Sequence, residues 1–283
     1  MITFIKILFF ILIVVLLYAL FKNVFSKNGL LKSKKNKQII KNSTISQKQW
    51  DEAYNTLPLL HGFSKKENKI LKELCILFIH DKTFEGAQGF EITTNVLLVI
   101  SIQACLPILK LGLDCYKNFS TIIVYPAGFR TNRKVTDENG IVDYDREPML
   151  GESWLSGPVI LSWADSEKAG QIDGCNLVIH EFAHKLDMQN GVANGFPPLH
   201  SSMKRKDWVR EFSKAFEYFE QRCTGHDLHG IDCYAATSPA EFFSVLSEVF
   251  FECPDRIKKY FPEVHTLLEL YYRQTPINRL NSV

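Results

Sequence analysis

None of the seven cysteines is spaced as C-x-x-C, and their number is odd. In a chain of 283 residues, this spacing does not predict a disulfide framework. Cys75 and Cys105 lie in apolar runs, where free thiols usually behave as small buried hydrophobic groups. We therefore expect reduced, mostly buried cysteines and a reducing compartment.

Acidic residues are missing from positions 1–50, which hold nine of the 33 Lys and Arg residues. The rest of the chain has 24 basic and 31 acidic residues, so it is mildly acidic although the formal net charge of the whole chain is +2. Proteins that bind a phosphate backbone need clustered Lys and Arg. We therefore expect no direct binding of nucleic acid. The hydrophobic content of 46% is enough for a sizeable core.

A signal-peptide cleavage site is also missing, because the apolar run 7–21 is followed directly by Lys22, Asn23, Val24 and Phe25 and not by small residues. With residues 2–5 included, the run has about 20 residues, or roughly 30 Å of helix, which is long enough to span a bilayer. The alternatives are a cleaved signal peptide and a retained helix, and we favour a transmembrane anchor over residues 1–25. Seven Lys between positions 22 and 41 then predict a single-pass protein of the inner membrane whose main domain faces the cytoplasm.

Residues 26–48 are rich in Lys and polar residues, which predicts either a flexible linker resting on anionic lipid or a solubilising charge run. The folded domain is expected over residues 49–283. Apolar periodicity predicts helices over 65–80, 94–113, 206–221 and 239–251, two short helical segments near 254–273, strands over 121–125 and 158–163, and a long loop over 127–151. The second of these helices is interrupted by polar residues, so we expect it to be buried and not a second membrane span.

The chemistry centres on His180-Glu181-Phe182-Ala183-His184, an H-E-x-x-H pattern. Residues four apart lie on one face of a helix, so His180 and His184 are placed to bind one Zn²⁺. Glu181 lies beside them, where it would polarise a zinc-bound water as a general base. The alternative is a pair of solvent-facing histidines, but the helix is apolar enough to be buried.

A catalytic zinc usually has a third protein ligand. The candidates are His200, His226, His229, Asp232, Glu241, Glu248 and His265. Glu241 is the best placed, because it lies in the first turn of an apolar helix that begins at Ser238 and Pro239, and a buried carboxylate needs a partner. The alternative is that Glu241 is favoured there only by the helix dipole. Glu248, two turns further on, could instead hydrogen-bond a ligand imidazole.

Several separated motifs resemble the Mlc titration factor A family of zinc peptidases. They are residues 180–187 followed by Asn190-Gly191, residues 234–248, Gln88-Gly89-Phe90-Glu91, Leu106-Pro107-Ile108-Leu109 with Leu111-Gly112-Leu113, and Val124-Tyr125-Pro126. They occur in order over about Trp50 to Leu280, and the resemblance leaves out the N-terminal anchor.

The resemblance implies an α+β, mainly helical zincin-like domain with a small sheet, similar to that of the anthrax lethal factor group. It implies that His180, His184 and Glu241 bind one Zn²⁺, that Glu181 is the general base, and that Tyr234 lies near the oxyanion. The family is also described as having aminopeptidase activity and as binding the glucose-responsive repressor Mlc. Some members carry a His in the loop matching residues 140–143 that can occlude the metal, but here Asp143 stands there.

The sequence therefore predicts a membrane-anchored zinc peptidase, aminopeptidase-like, that acts on a peptide or protein. Strand 158–163 would pair with an extended substrate. One alternative is a membrane-tethered protein that binds a transcriptional repressor of the Mlc type, with residual peptidase activity. The other is a structural zinc site with a fourth ligand from Asp143 or His226.

Overall fold

The structure is a computed structural model that describes residues 33–127, 134–136, 142–144 and 157–280. Its contacts divide the chain into two units, Met1–Thr44 and Ile45–Val283. The predicted anchor over residues 1–25 lies outside the described residues. Residues 33–41 are helical, which the composition of the linker did not indicate. Among the residues that the structure describes, no helix is both long and apolar enough to cross a membrane.

The second unit is mainly helical. Its helices are α1 (Gln47–Asn55), α2 (Lys65–Asp81), α3 (Thr94–Cys105), α4 (Trp163–Ser166), α5 (Leu177–Asp187), α6 (Arg205–Arg222), α7 (Pro239–Glu252), α8 (Pro254–Tyr260), α9 (Pro262–Tyr272) and α10 (Pro276–Leu280). The predicted helices near 65–80, 206–221, 239–251 and 254–273 are confirmed. The predicted helix over 94–113 is buried as expected but ends at Cys105, because Pro107 has no N–H to continue the helical hydrogen bonds, although Leu106 before it still has helical φ and ψ.

The sequence marks where several of these helices begin. Ser64 caps α2 by accepting from the backbone N–H of Glu67, whose side chain accepts in return from the N–H of Ser64. Ser238 caps α7 in the predicted way and Pro239 is the first helical residue. Asn176 caps α5, because its Oδ1 accepts from the N–H of Ile179 at 2.9 Å.

A small parallel sheet packs with these helices. Its strands are β1 (Thr83–Gly86), β2 (Thr121–Tyr125) and β5 (Val159–Ser162), in the order β1-β2-β5. Strands β2 and β5 were predicted. Strand β1 was missed because it is short and mostly exposed, with Phe84 as its only large apolar residue. Among the described residues, no strand pairs with the edge of β5 that faces away from β2.

Two short antiparallel hairpins lie outside this sheet. Strands β3 (Lys134–Thr136) and β4 (Val142–Tyr144) pair within the segment that was predicted as a loop. Strands β6 (Asp227–Leu228) and β7 (Ile231–Asp232) pair between α6 and α7. The second hairpin was not predicted, because two-residue strands leave no measurable period in a sequence.

The core surrounds α5. Val178, Ile179, Phe182 and Ala183 are fully buried, and α7 packs along α5 with every residue from 240 to 252 buried. The ring of Phe182 contacts the ring of Tyr116 at a centroid distance of 5.0 Å. Burying a side chain of this size contributes about 2 kcal/mol. The H-E-x-x-H helix is therefore an internal element, as its apolar flanks predicted.

One expectation about the cysteines is wrong. Cys223 and Cys233 form a disulfide with their Cα atoms 5.5 Å apart. The hairpin of β6 and β7 lies between them and brings them together, which their spacing in the sequence does not reveal. The other five are free thiols, of which Cys75 and Cys105 are buried as expected.

Candidate metal centre

Helices α5 and α7 bring three polar side chains to one buried point. His180 and His184 lie one turn apart on α5, with ring centroids 4.8 Å apart and their Nε2 atoms 3.2 Å apart. Glu241 approaches from the first turn of α7, where Ser238 Oγ accepts from the Glu241 N–H at 3.2 Å. The exposed fractions are 9% for His180, 6% for His184 and 3% for Glu241.

A single carboxylate oxygen faces both rings. Glu241 Oε2 lies 2.9 Å from His180 Nε2 and 3.2 Å from His184 Nε2. The potential ligand atoms of these three residues lie within 4.8 Å of one another, and no other such group of metal-binding side chains is found in the described part of the chain. Two imidazole nitrogens and a carboxylate oxygen are a donor set that divalent cations bind.

The electrostatics of the site also fit a cation. Burial alone would lower the pKa of His180, but the hydrogen bonds to Glu241 and Glu248 outweigh it and raise the pKa to about 10. Burial would raise the pKa of Glu241, but the two histidines outweigh it and lower the pKa to about 2. The site therefore favours a positive charge among these three side chains.

Glu248 contacts the His180 ring at Nδ1, the nitrogen that faces away from Glu241 and His184. Its Oε1 lies 2.7 Å from His180 Nδ1, and its Oε2 accepts a short hydrogen bond from the backbone N–H of Asn176. A proton on Nδ1 that is donated to Glu248 leaves the Nε2 lone pair directed at the site. This is the supporting position that the sequence left open for Glu248.

A deeper polar network was missed from the sequence. Glu252 is fully buried and accepts from the backbone N–H groups of Gly170 and Gly174, both at 3.0 Å, and from Asn176 Nδ2 at 2.8 Å. Burial raises the pKa of Glu252 to about 7. Asn176 also donates to Gln103 Oε1 at 2.9 Å, which ties the first turn of α5 to α3. In the sequence, the only indication of this network was that Glu252 is a third Glu on α7, a helix that is otherwise apolar.

The two predicted catalytic side chains lie beside the cluster. Glu181 follows His180 on α5, is half-buried, and its charge acts on His180. Tyr234 lies in a 3₁₀ turn, Cys233–Ala236, with its ring centroid 6.0 Å from that of His180. Tyr234 is 40% exposed. A molecule entering the site from solvent therefore meets Tyr234 beside the histidines.

Asp187, at the end of α5, was not predicted as part of the site. Its Oδ2 accepts from the N–H groups of Asn194 and Gly195, both at 2.7 Å. Gly195 has φ +75°, and a Cβ there would lie 2.4 Å from the carbonyl oxygen of Pro239. Asp187 thus holds the loop after α5 against the start of α7, the helix that carries Glu241.

The other candidate ligands do not join the cluster. His200 Nε2 faces the carbonyl oxygen of Tyr271 at 2.8 Å, His229 stacks on Tyr260 with ring centroids 3.7 Å apart, and His265 faces Glu269. His226 and Asp232 also lie outside the group. Asp143 is in β4 opposite Val135, and its side chain lies outside the described residues.

Comparisons with known proteins agree with this geometry. The family described as glucose-regulated metallo-peptidase M90 matches residues 31–273. A protein named Mlc titration factor A from Escherichia fergusonii is 35% identical over 235 residues, which cover 82% of this chain and 88% of the relative. A protein with that name from Cronobacter sakazakii is 37% identical over 231 residues, which cover 81% of this chain and 87% of the relative. Another from Salmonella typhi is 37% identical over 236 residues, which cover 82% of this chain and 88% of the relative. The chain belongs to the Mlc titration factor A family, a family of metallopeptidases.

Proposed function

We propose that the protein is a zinc-dependent peptidase in which His180, His184 and Glu241 bind one Zn²⁺. The observation that carries the proposal is the convergence of His180 Nε2, His184 Nε2 and Glu241 Oε2 at a buried point beside Glu181. Two imidazoles and one carboxylate are a ligand set of catalytic zinc sites, which keep one position open. Among the side chains that the structure describes, no fourth ligand joins these three, which favours a catalytic role over a structural one.

When bound, zinc supplies a Lewis acid that polarises a water and the carbonyl of the scissile peptide. Glu181 accepts the proton of the attacking water and delivers it to the leaving amine. The Tyr234 hydroxyl donates to the oxyanion, and such a donor typically contributes about 3 kcal/mol. Glu248 keeps the His180 ring oriented through Nδ1.

Strand β5 has one edge that no described strand covers, and this edge supports a peptide as the substrate class. Strand β5 pairs with β2 on one side, from Ile122–Val159 to Tyr125–Ser162, and packs against α5. An extended peptide that adds to its other edge would be held by main-chain hydrogen bonds. Aminopeptidase-like cleavage of such a peptide is part of this proposal.

A second candidate function is the binding of a repressor. The relatives carry the name Mlc titration factor A, which favours a transcriptional repressor of the Mlc type as a partner of this chain too. The localisation that goes with either function is the cytoplasmic face of the inner membrane, through the anchor predicted over residues 1–25. Capture of such a repressor by a variant that has no peptidase activity would favour the binding function.

The proposed function is tested by peptide hydrolysis with the purified protein. Short aminoacyl substrates and internally quenched peptides are incubated with untreated protein, with chelated protein, and with chelated protein after zinc is restored. Cleavage that chelation removes and zinc restores is the expected result, and the cleaved substrate type tells exopeptidase from endopeptidase. A zinc-loaded protein that cleaves none of these peptides would contradict the proposal.

A further inference from the structure

We propose that Cys223 and Cys233 form a thiol–disulfide modification site that fixes the position of Tyr234. Cys223 ends α6, where its N–H donates to the carbonyl oxygen of Phe219 at 2.8 Å. Cys233 opens the 3₁₀ turn that contains Tyr234, so the disulfide joins a long helix to the residue directly before this tyrosine. The proposal rests on the proposed function for its effect on catalysis.

The hairpin between the two cysteines is anchored at its tip without the disulfide. Arg256 Nη1 donates to the carbonyl oxygen of Gly230 at 2.7 Å, and the ring of His229 stacks on Tyr260 at 3.7 Å. Ile231 is fully buried. Reduction would therefore leave the tip of the hairpin in place. It would remove the covalent link at the base of the hairpin, where Cys233 directly precedes Tyr234.

The segment after Cys233 is short and leads directly to the metal centre. Three residues after Tyr234, the Oγ1 of Thr237 donates a hydrogen bond to the Tyr234 carbonyl oxygen at 2.8 Å. The next residue, Ser238, is the N-cap of α7. The start of α7 is covered by the loop that Asp187 holds, so this end of the segment is fixed. At the other end, the N–H of Cys233 donates to the carbonyl oxygen of His226 at 2.9 Å and the N–H of Tyr234 donates to Asp232 Oδ1 at 2.8 Å. These contacts lie within the hairpin segment, so opening the disulfide removes the covalent link between this segment and α6.

Cys223 and Cys233 are both half-buried, so neither residue lies in the closed core. A dithiol reductant would break the S–S bond by thiol–disulfide exchange. Two electrons and two protons pass to the protein, which gains two thiols, and the reductant gains a disulfide. The reduced protein would keep its metal ligands, because His180, His184 and Glu241 lie on helices that the disulfide does not join.

The test compares the full protein in its oxidised and reduced states. A phosphine is the probe reductant, since dithiols also bind zinc; it reduces the disulfide and takes oxygen from water. Alkylation under denaturing conditions should count two more thiols after reduction. Reduction should lower kcat by about tenfold, a partial loss of the 10²–10³ that such a donor can supply. Bound zinc should stay constant.

Three variants make the test specific. Cys223→Ser/Cys233→Ser should resemble the reduced protein in both states. Cys115→Ser, which removes a half-buried free thiol elsewhere, should respond to reduction as the unchanged protein does. In Tyr234→Phe, reduction should have little further effect on kcat, because the group that it displaces is already absent.

A readout without activity separates this proposal from the proposed function. Amide hydrogen exchange of residues 233–237 should rise on reduction, while that of residues 177–187 stays constant. If no peptide is cleaved in either state, the proposed function fails and the exchange measurement alone decides this proposal. An equal thiol count before and after reduction, or unchanged exchange at 233–237, would overturn it.

Discussion

Glu248 Oε1 lies 2.7 Å from His180 Nδ1, on the side of the ring opposite the metal centre. Its other oxygen accepts from the backbone of Asn176, the residue that caps α5. One carboxylate thus orients a ligand ring and ties the H-E-x-x-H helix to α7. Because α7 also carries Glu241, the relative position of the three ligands depends on this contact.

Replacing Glu248 should weaken metal binding without changing the ligands. We expect Glu248→Ala to lower zinc affinity by about 10- to 100-fold, the usual effect of losing such a partner of a ligand histidine. Competition with a chromophoric chelator measures the affinity. Glu263→Ala, an exposed Glu in the first turn of α9, is the control. Unchanged affinity in Glu248→Ala would remove Glu248 from the site.

Removing the Tyr234 hydroxyl should affect turnover and not the metal. We expect Tyr234→Phe to lower kcat by about 10²-fold, since one donor to the oxyanion is lost, with zinc content unchanged. Steady-state kinetics on one peptide and a zinc assay on the same sample measure both. Tyr260→Phe, whose ring stacks on His229, is the matched control. A zinc-loaded Tyr234→Phe with full kcat would contradict the role of Tyr234.

Glu252 should make the stability of the metal-free protein depend on pH. Its pKa is about 7 when folded against 4.5 as the ordinary value, because burial disfavours its charged form. The folded state therefore binds more protons between these values, so the contribution of Glu252 is present below pH 4.5 and is lost as the pH rises through 7. The difference is about 3 kcal/mol.

The measurement is urea unfolding of chelated protein between pH 5 and 8, for the unchanged protein and for Glu252→Gln. The neutral amide cannot ionise, so the free energy of unfolding should fall more steeply with rising pH in the unchanged protein. Groups common to both proteins cancel in the comparison. Parallel pH profiles would show that Glu252 does not titrate in this range.

Asp187 should matter for stability through two backbone donors. In Asp187→Ala, the N–H groups of Asn194 and Gly195 lose their acceptor inside the protein. We expect a loss of about 2 kcal/mol in the free energy of unfolding, because Gly195 is buried and its N–H would have no partner, whereas the N–H of the exposed Asn194 can bond to water. Asp187→Asn keeps one acceptor oxygen and should recover part of the loss. Equal stability of the unchanged protein and Asp187→Ala would rule out this contact as an anchor.

The metal centre could be predicted largely because its spacing is local. His180 and His184 lie on one helix, and the four-residue interval alone places them on one face. Glu241 is distant in sequence, but a carboxylate in the first turn of an apolar helix needs a partner, and the structure places Glu241 next to both histidines. The approach of α7 to α5 that unites them is a tertiary contact, and no pattern in the sequence reports its distance.

What could not be predicted depends on contacts between distant segments. Glu252 and Asp187 resemble ordinary helix-end acids until the glycine backbones that they bind are known. Cys223 and Cys233 carry no spacing signal, because the hairpin that unites them is too short to show a period. Strand β1 is recognised only by its pairing with β2, since its own side chains are mostly exposed.

The most direct test of the proposed function measures zinc content and turnover on one preparation of Glu181→Gln. The substitution keeps the size of the side chain and leaves His180, His184 and Glu241 intact. We predict one zinc per chain, as in the unchanged protein, and a loss of turnover by about 10²- to 10⁴-fold, the usual contribution of a general base. Full turnover by zinc-loaded Glu181→Gln would contradict the assignment of Glu181 and the peptidase mechanism built on it.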